Sequence, residues 1–422
     1  MDATTKAVSA AWIAVTHWWP HIDELLGVWL TLSERFRRAA ERKFPGIVSS
    51  PSAIQLEYWK KGNEVPEWAT SCDRVRRMRR IPVGIWRGVS LYDEHASAGF
   101  AGSPGECAAD LMAQQLRISD EPRLTPLLAA VRENDVRGSG GRFGLGALVK
   151  ALHEARPAEG SFVAQLAFDA FDAVVTAEEA KISGKPLLEF DAAKFGEKIA
   201  GHDRGLAAIW DEAAREEKAR PRYLSLIALV RAITACKSDA VAVDWALHAL
   251  CALRENVEIF EQACADVKKS ARVWTKKSGG RDVIVALAAS DSPAALRAMK
   301  RLVNSQPAAA SKIAAAKNRG SIFTQAAVMI ACRPTGNIVV QAQGGPTLVL
   351  VAIALRAAEA KKREREWEIG DPRLFTAWHY MKELECCFNG SNTSPDVEPT
   401  ALSGDEIVKI VTDCLAPVPA RG

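Results

Sequence analysis

Residues 15–25 read VTHWWPHIDEL. Within them His17, His21 and Asp23 crowd around Trp18, Trp19 and Pro20, in a chain of 422 residues that has only 7 histidines. The run 12–16 reads as a short buried strand. Residues 23–38 carry apolar side chains at helical spacing, at Leu25, Leu26, Trp29, Leu32 and Phe36. The two histidines therefore stand in a loop between a strand and a helix. Working outward, residues 54–59 and 81–86 are further strand candidates, and 105–116 and 124–133 read as helices. Strand, loop, helix and strand in this rhythm predict an α/β domain with a mainly parallel sheet. In such sheets ligands gather beyond the carboxyl ends of the strands.

The composition is that of a globular protein, 48% hydrophobic and 25% charged, and long enough for two or three domains. The balance of 55 basic against 51 acidic residues leaves a net charge of +4, too small to imply a polyanionic partner by itself. Nine cysteines without a CxxC pair argue against a secreted disulfide framework and for a reducing compartment. Adjacent Cys386 and Cys387 read as buried, inert thiols. There is no basic segment ahead of an apolar core and cleavage site, and apolar runs such as 347–355 are far shorter than the roughly 20 residues that span a bilayer. The expectation is a cytoplasmic protein with no membrane partner.

Three spans follow from the pattern. Residues 1–147 form the α/β domain. Its last stretch, RGSGGRFGLG at 137–146, lacks the Lys-Ser/Thr ending of a P-loop and reads as a flexible joint. Residues 148–276 are helical almost throughout, most clearly at 240–269. KKSGG at 276–280 marks a boundary. Residues 277–422 then form a smaller C-terminal α/β or α+β domain, with strands at 281–289, 327–332 and 337–343, and helices at 292–303 and from 347. A tight turn at Arg333 joins the last two strands. In SGDE, Ser403 is an N-cap and Glu406 its N3 partner. No repeat of fixed period is found.

The chemistry concentrates in two acid-rich loops at predicted strand ends. The first offers His17, His21, Asp23 and Glu24. The second, YDEH at 92–95, offers Asp93, Glu94 and His95. Asp135 follows a predicted helix. Imidazole with carboxylate suits manganese, iron or zinc, and a carboxylate-heavy set leans toward manganese or magnesium. One histidine beside an acid is most often a satisfied core or surface residue. Three of the seven histidines in two such loops argue for a metal.

HWWPHID resembles the first motif of the DHH phosphoesterase superfamily, His-x-x-Pro-Asp-x-Asp. His17, Pro20 and Asp23 stand in register, with His21 in place of Asp. YDEH resembles the signature Asp-His-His motif, with Glu94 in place of the first His. The closest branch is the Myg-type exonucleases. The resemblance covers roughly residues 15–155. It implies an N-terminal DHH-like domain in which His17 and His21 hold one divalent ion, Asp23, Glu94 and Asp135 hold a second, His95 contacts the scissile phosphate, and Asp93 orients its neighbours. One or two Mn2+ (or Mg2+) ions are implied. Two departures stand against it. The strand before YDEH reads IPVGIWRG and lacks the family's bridging Asp, and no Gly-Gly-His motif is present.

Further substrate candidates are Arg76 and Arg77, within the arginine run 74–80, and Asn389 and Ser391 in the turn-rich segment 388–411. Each has an ordinary structural alternative, a solvated basic face and a capping loop. Trp18 and Trp19 either stack on a base or pack the rim of the site. The expected function is a divalent-metal-dependent phosphodiester hydrolase acting on nucleic acid or a nucleotide. The alternative is a catalytically impaired DHH-like scaffold with a protein partner on the helical region or a nucleic-acid partner.

Overall fold

In the computed structural model the described residues are 12–47, 56–60, 66–85, 105–137, 140–187, 189–278, 281–306, 325–364, 378–381, 385–390 and 396–415. Asp93, Glu94, His95 and Ser391 lie outside them. The chain divides into two compact units, Met1–Trp59 with Val65–Asn256, and Lys60–Glu64 with Val257–Gly422.

The first unit opens with a three-stranded parallel sheet. β1 (Ile13–His17) is central, flanked by β2 (Leu56–Trp59) and β3 (Arg80–Pro82). Between them run α1 (Ile22–Leu32), α2 (Arg37–Lys43) and α3 (Cys72–Met78). α4 (Ala108–Leu116), α5 (Thr125–Arg137), α6 (Leu145–Ala155), α7 (Gly160–Ile182), α8 (Ala192–His202), α9 (Arg204–Ala219), α10 (Leu226–Cys236) and α11 (Asp239–Ser270) follow. One apolar core joins β1, α1 and α4 to α7, α10 and α11 through Ala14, Leu25, Leu26, Trp29, Met112 and Phe171. The helices of the middle region thus bury their apolar faces against the same core as the sheet. No described helix is long and apolar enough to cross a membrane.

Periodicity across residues 23–38 suggests one helix, but α1 stops at Leu32. Ser33 is extended (φ −70°, ψ 134°), and its side chain accepts from Arg35 N, which opens a short 3-10 turn. Arg35 then forks onto Asp172 and Glu179 of α7 at 3.2 and 2.8 Å. A long-range ion pair therefore ends the helix, which the local pattern cannot show.

Residues 140–146 of the glycine-rich segment form a clasp rather than a loose joint. Leu145 N donates to Leu224 O and Leu226 N to Phe143 O, so it is tied to the start of α10. Side chains added at Gly140 or Gly146 would run into the amide of Asn134, and a Cβ on Gly144 would lie 2.2 Å from Gly140 O. The spacing of the glycines is set by these close approaches.

In the second unit, Lys276, Lys277 and Ser278 of KKSGG are the end of a strand. β4 (Arg272–Ser278) pairs antiparallel with β5 (Arg281–Ala289), extending a mixed six-stranded sheet of order β4-β5-β6-β7-β9-β8. The others are β6 (Ala327–Cys332), β7 (Ile338–Gln343), β8 (His379–Met381) and β9 (Cys386–Asn389). β5 alternates Val283, Val285 and Leu287 into one core with Ile284, Ala286 and Ala288 into another, so both faces are covered. On the second face lie α12 (Ala295–Asn304) and the last turns of α11. α13 (Val349–Lys362) and α14 (Gly404–Cys414) contribute to the first. Ser403 and Glu406 form the expected capping box, and Cys386 and Cys387 are buried.

Gly144→Ala is expected to lower the unfolding free energy by about 1–3 kcal/mol, read from urea denaturation. An unchanged midpoint would mean that the segment 140–146 repacks freely.

Candidate metal centre

β1 hands the chain to α1 through four residues, and the candidate site is built on that handover. His17 is the last residue of β1, paired in register with Trp59 of β2. His21 is the N-cap of α1, and Glu24 is its N3 residue. A helix start leaves amides without partners, and an acid at N3 answers one of them. Here Glu24 Oε2 accepts from His21 N at 2.5 Å. Its other oxygen takes His17 Nε2 at 2.7 Å. The His21 ring nitrogen Nδ1 stands 4.0 Å from Oε2, and the two imidazoles meet edge to face at 5.2 Å.

Glu24 is only 4% exposed. Burial on its own raises a carboxyl pKa, but His17 and His21 override it and hold Glu24 well below the usual carboxylate range. Room for this carboxylate comes from Gly84, just past β3. Its φ is +60°, and a Cβ there would stand 2.2 Å from Glu24 Cγ.

The neighbouring acid, Asp23, is 1% exposed and accepts from Ala108 N at 3.4 Å, at the first residue of α4. α4 is tied in turn to α5. Asp110 takes a bidentate fork from Arg132 at 2.8 and 2.6 Å. Arg132 and Asp135 are three residues apart on α5 and so share a side of the helix. Cys107, which caps α4, is buried, and burial raises its thiol pKa far out of the nucleophilic range.

Two triads result, His17–His21–Glu24 and His21–Asp23–Asp135. In each, one ligand atom per residue lies within 4.8 Å of the others. Two nitrogens with one oxygen, and one nitrogen with two oxygens, are donor sets that divalent transition ions accept, and ligands about 2.0–2.3 Å from a shared ion sit at such separations. His17, His21, Asp23 and Asp135, all singled out in the sequence, are thus brought together. The resemblance gives Glu24 no role, yet it is the acid that both histidine positions share. A cavity of about 270 Å³ lies between α5 and the glycine-rich segment, and none of the triad residues lines it. Its lining includes Ile22, between His21 and Asp23, and Glu133 and Asn134, which precede Asp135.

Other sequence candidates lie elsewhere. The C-terminal end of α3, with Arg76 and Arg77, leads to Arg79, whose carbonyl accepts from Ile13 N at 2.9 Å. That is where β1 begins, at the far end of the strand from His17. The structure does not bring these arginines to the cluster. Asn389 belongs to the second unit and is fully buried. Its amide donates to Glu398 O at 3.0 Å and meets Asn337, so it fastens a loop. Trp18 packs edge-on against Tyr58 at 5.4 Å, and Trp19 stacks on His153 at 5.9 Å.

No family model and no curated protein matches the chain. Among solved structures it is similar to an uncharacterized protein from Helicobacter pylori G27, with 10% identity, 96% of this chain and 99% of that chain covered, and a TM-score of 0.24.

Glu24→Gln keeps the shape and removes the charge. The Glu24 carboxyl titrates lower in the folded state than in the unfolded one, so its stabilisation is present above about pH 4.3 and is lost as the pH falls toward the folded value. The variant is expected to be less stable by about 1.5–3 kcal/mol near neutrality, with the gap closing on acidification below about pH 4. A gap that does not change with pH, in denaturation series at several pH values, would contradict the paired carboxylate.

Proposed function

We propose that the first unit is a divalent-metal-dependent phosphodiester hydrolase with a DHH-like active site, as the motif HWWPHID suggests. The observation that carries this reading is the convergence of His17, His21, Asp23 and Asp135 at the carboxyl end of β1, in the order and strand context of that motif. In this reading His21, Asp23 and Asp135 hold one Mn2+ or Mg2+ ion, and His17, His21 and Glu24 offer a second position. Such an ion, when bound, lowers the pKa of a coordinated water and screens the phosphate oxygens.

The remaining tasks fall to the chain itself. Glu24 and Gly84 fix the histidine loop, and Ala108 N orients Asp23. Both ring nitrogens of His17 face oxygen acceptors, Trp18 O at 3.0 Å and Glu24 Oε1 at 2.7 Å. The hydrogen bond from His17 Nε2 to Glu24 would have to open for that nitrogen to serve as a metal ligand. The Asp93, Glu94 and His95 roles belong to this proposal as the resemblance gives them.

A second reading has one specific observation behind it. β3 ends in Pro82, followed by Val83, Gly84 and Ile85, and no carboxylate stands among them beside the cluster. A DHH-like domain without that bridging acid could hold a single ion and act as a scaffold for a protein or nucleic-acid partner.

Turnover decides between the two. With bis(p-nitrophenyl) phosphate as substrate, Mn2+-loaded protein is expected to hydrolyse the diester, chelator to stop it, and Asp23→Asn to cut the rate at least about 100-fold. Metal binding without turnover on this ester or on short oligonucleotides would favour the scaffold. Turnover that is indifferent to chelator would contradict the metal reading.

A further inference from the structure

Trp19 stands in the middle of the ligand loop with φ 61°, the left-handed region that a bulky side chain rarely adopts. Such a conformation persists only where surrounding contacts over-determine it. The contacts that hold it here come from α6 and the turn behind it. The indole stacks on the His153 ring with centroids 5.9 Å apart and planes inclined by 12°. Its Nε1 donates to Pro157 O at 3.2 Å. His153 Nε2 stands 3.2 Å from Pro20 O, the next residue of the loop. One imidazole therefore grips two consecutive residues between His17 and His21.

His153 is suited to that task. It is 2% exposed, on a helix packed against α7 and anchored by Leu148, Val149 and Leu152. Burial pushes its pKa down to about 3, against the pull of the Pro20 carbonyl, so the ring is neutral. A neutral ring with a proton on Nε2 donates to Pro20 O and adds no charge beside the ligands. The loop it holds carries side chains that are themselves loosely covered, 20% exposed for His17 and 63% for His21. Those rings depend on the backbone for their placement more than on packing around them.

We propose that His153 is a positioning residue for the metal centre: by stacking on Trp19 and donating to Pro20 O it holds the left-handed loop that sets His17 and His21 for ligation. The inference rests on the metal reading for its consequence, but not for its geometry. Groups arranged this way around a ligand typically cost 10- to 100-fold in metal affinity when removed.

The test uses the full-length chain and three substitutions. His153→Ala removes both contacts, His153→Phe keeps the stack, and His153→Gln keeps the donor. Mn2+ affinity is read by calorimetry, unfolding by thermal denaturation, and the loop by hydrogen exchange of residues 17–21 in the metal-free protein. His153→Ala is expected to weaken Mn2+ binding at least about 10-fold and to speed exchange in the loop. Phe and Gln are each expected to recover part of both, whatever their effect on the unfolding midpoint. Loss of midpoint with unchanged affinity and unchanged loop exchange would make His153 a plain core residue and overturn the proposal. If the unmodified chain takes up no Mn2+, the metal reading fails by itself. Exchange at residues 17–21 then still decides whether His153 holds the loop. Should His153→Ala fail to fold, the Phe and Gln variants answer the same question, and equality of both with the unmodified chain overturns the proposal.

Discussion

A carboxylate buried between two histidines is the constraint around which the first unit is arranged. Glu24 is removed from solvent, and an unpaired charge at that depth would cost several kcal/mol. It is tolerated because one oxygen meets His17 and the other meets the amide of His21. Both partners must then be held. The parallel pairing of β1 on either side fixes His17, and the first turn of α1 fixes His21. Space is the remaining condition, and it falls on Gly84, where any side chain would occupy the position of Glu24.

The second acid depends on elements further along the chain. Asp23 meets the start of α4, the Asp110–Arg132 fork ties α4 to α5, and α5, which carries Asp135, also packs against α1. α6 reaches the loop from another direction through His153. The helices that follow the sheet are thus more than a covering layer. Their core is shared with β1 and α1, and five side chains from β1, the start of α1 and α5 form two triads that meet at His21.

The sequence shows some of this and hides the rest for physical reasons. β1 and α1 announce themselves by an apolar run and helical spacing, and the ligand loop by its residue types. Ser33 could not be recognised as a helix end, because the force that ends the helix is Arg35 reaching α7 more than a hundred residues away. Glycine spacing at 140–146 suggests freedom, whereas the structure uses it for close contact with Asn134. The arginine run invites a role with polyanions, yet its position is set by chain direction, and a parallel strand carries it away from the cluster. Asn389 looks like a ligand contact because polar residues in turns are ambiguous until their burial is known. His153 has no local signature at all. It sits on an apolar helix face, and only the fold brings it under Trp19.

Anomalous scattering from crystals grown with Mn2+ would probe the metal centre without any intermediate assumption. A manganese peak is expected about 2.0–2.3 Å from ligand atoms of His21, Asp23 and Asp135, with a second peak between His17 and Glu24 if two ions are held. Manganese bound elsewhere, or a cluster still closed by the His17–Glu24 hydrogen bond with no peak at saturating metal, would contradict a metal centre at the start of α1.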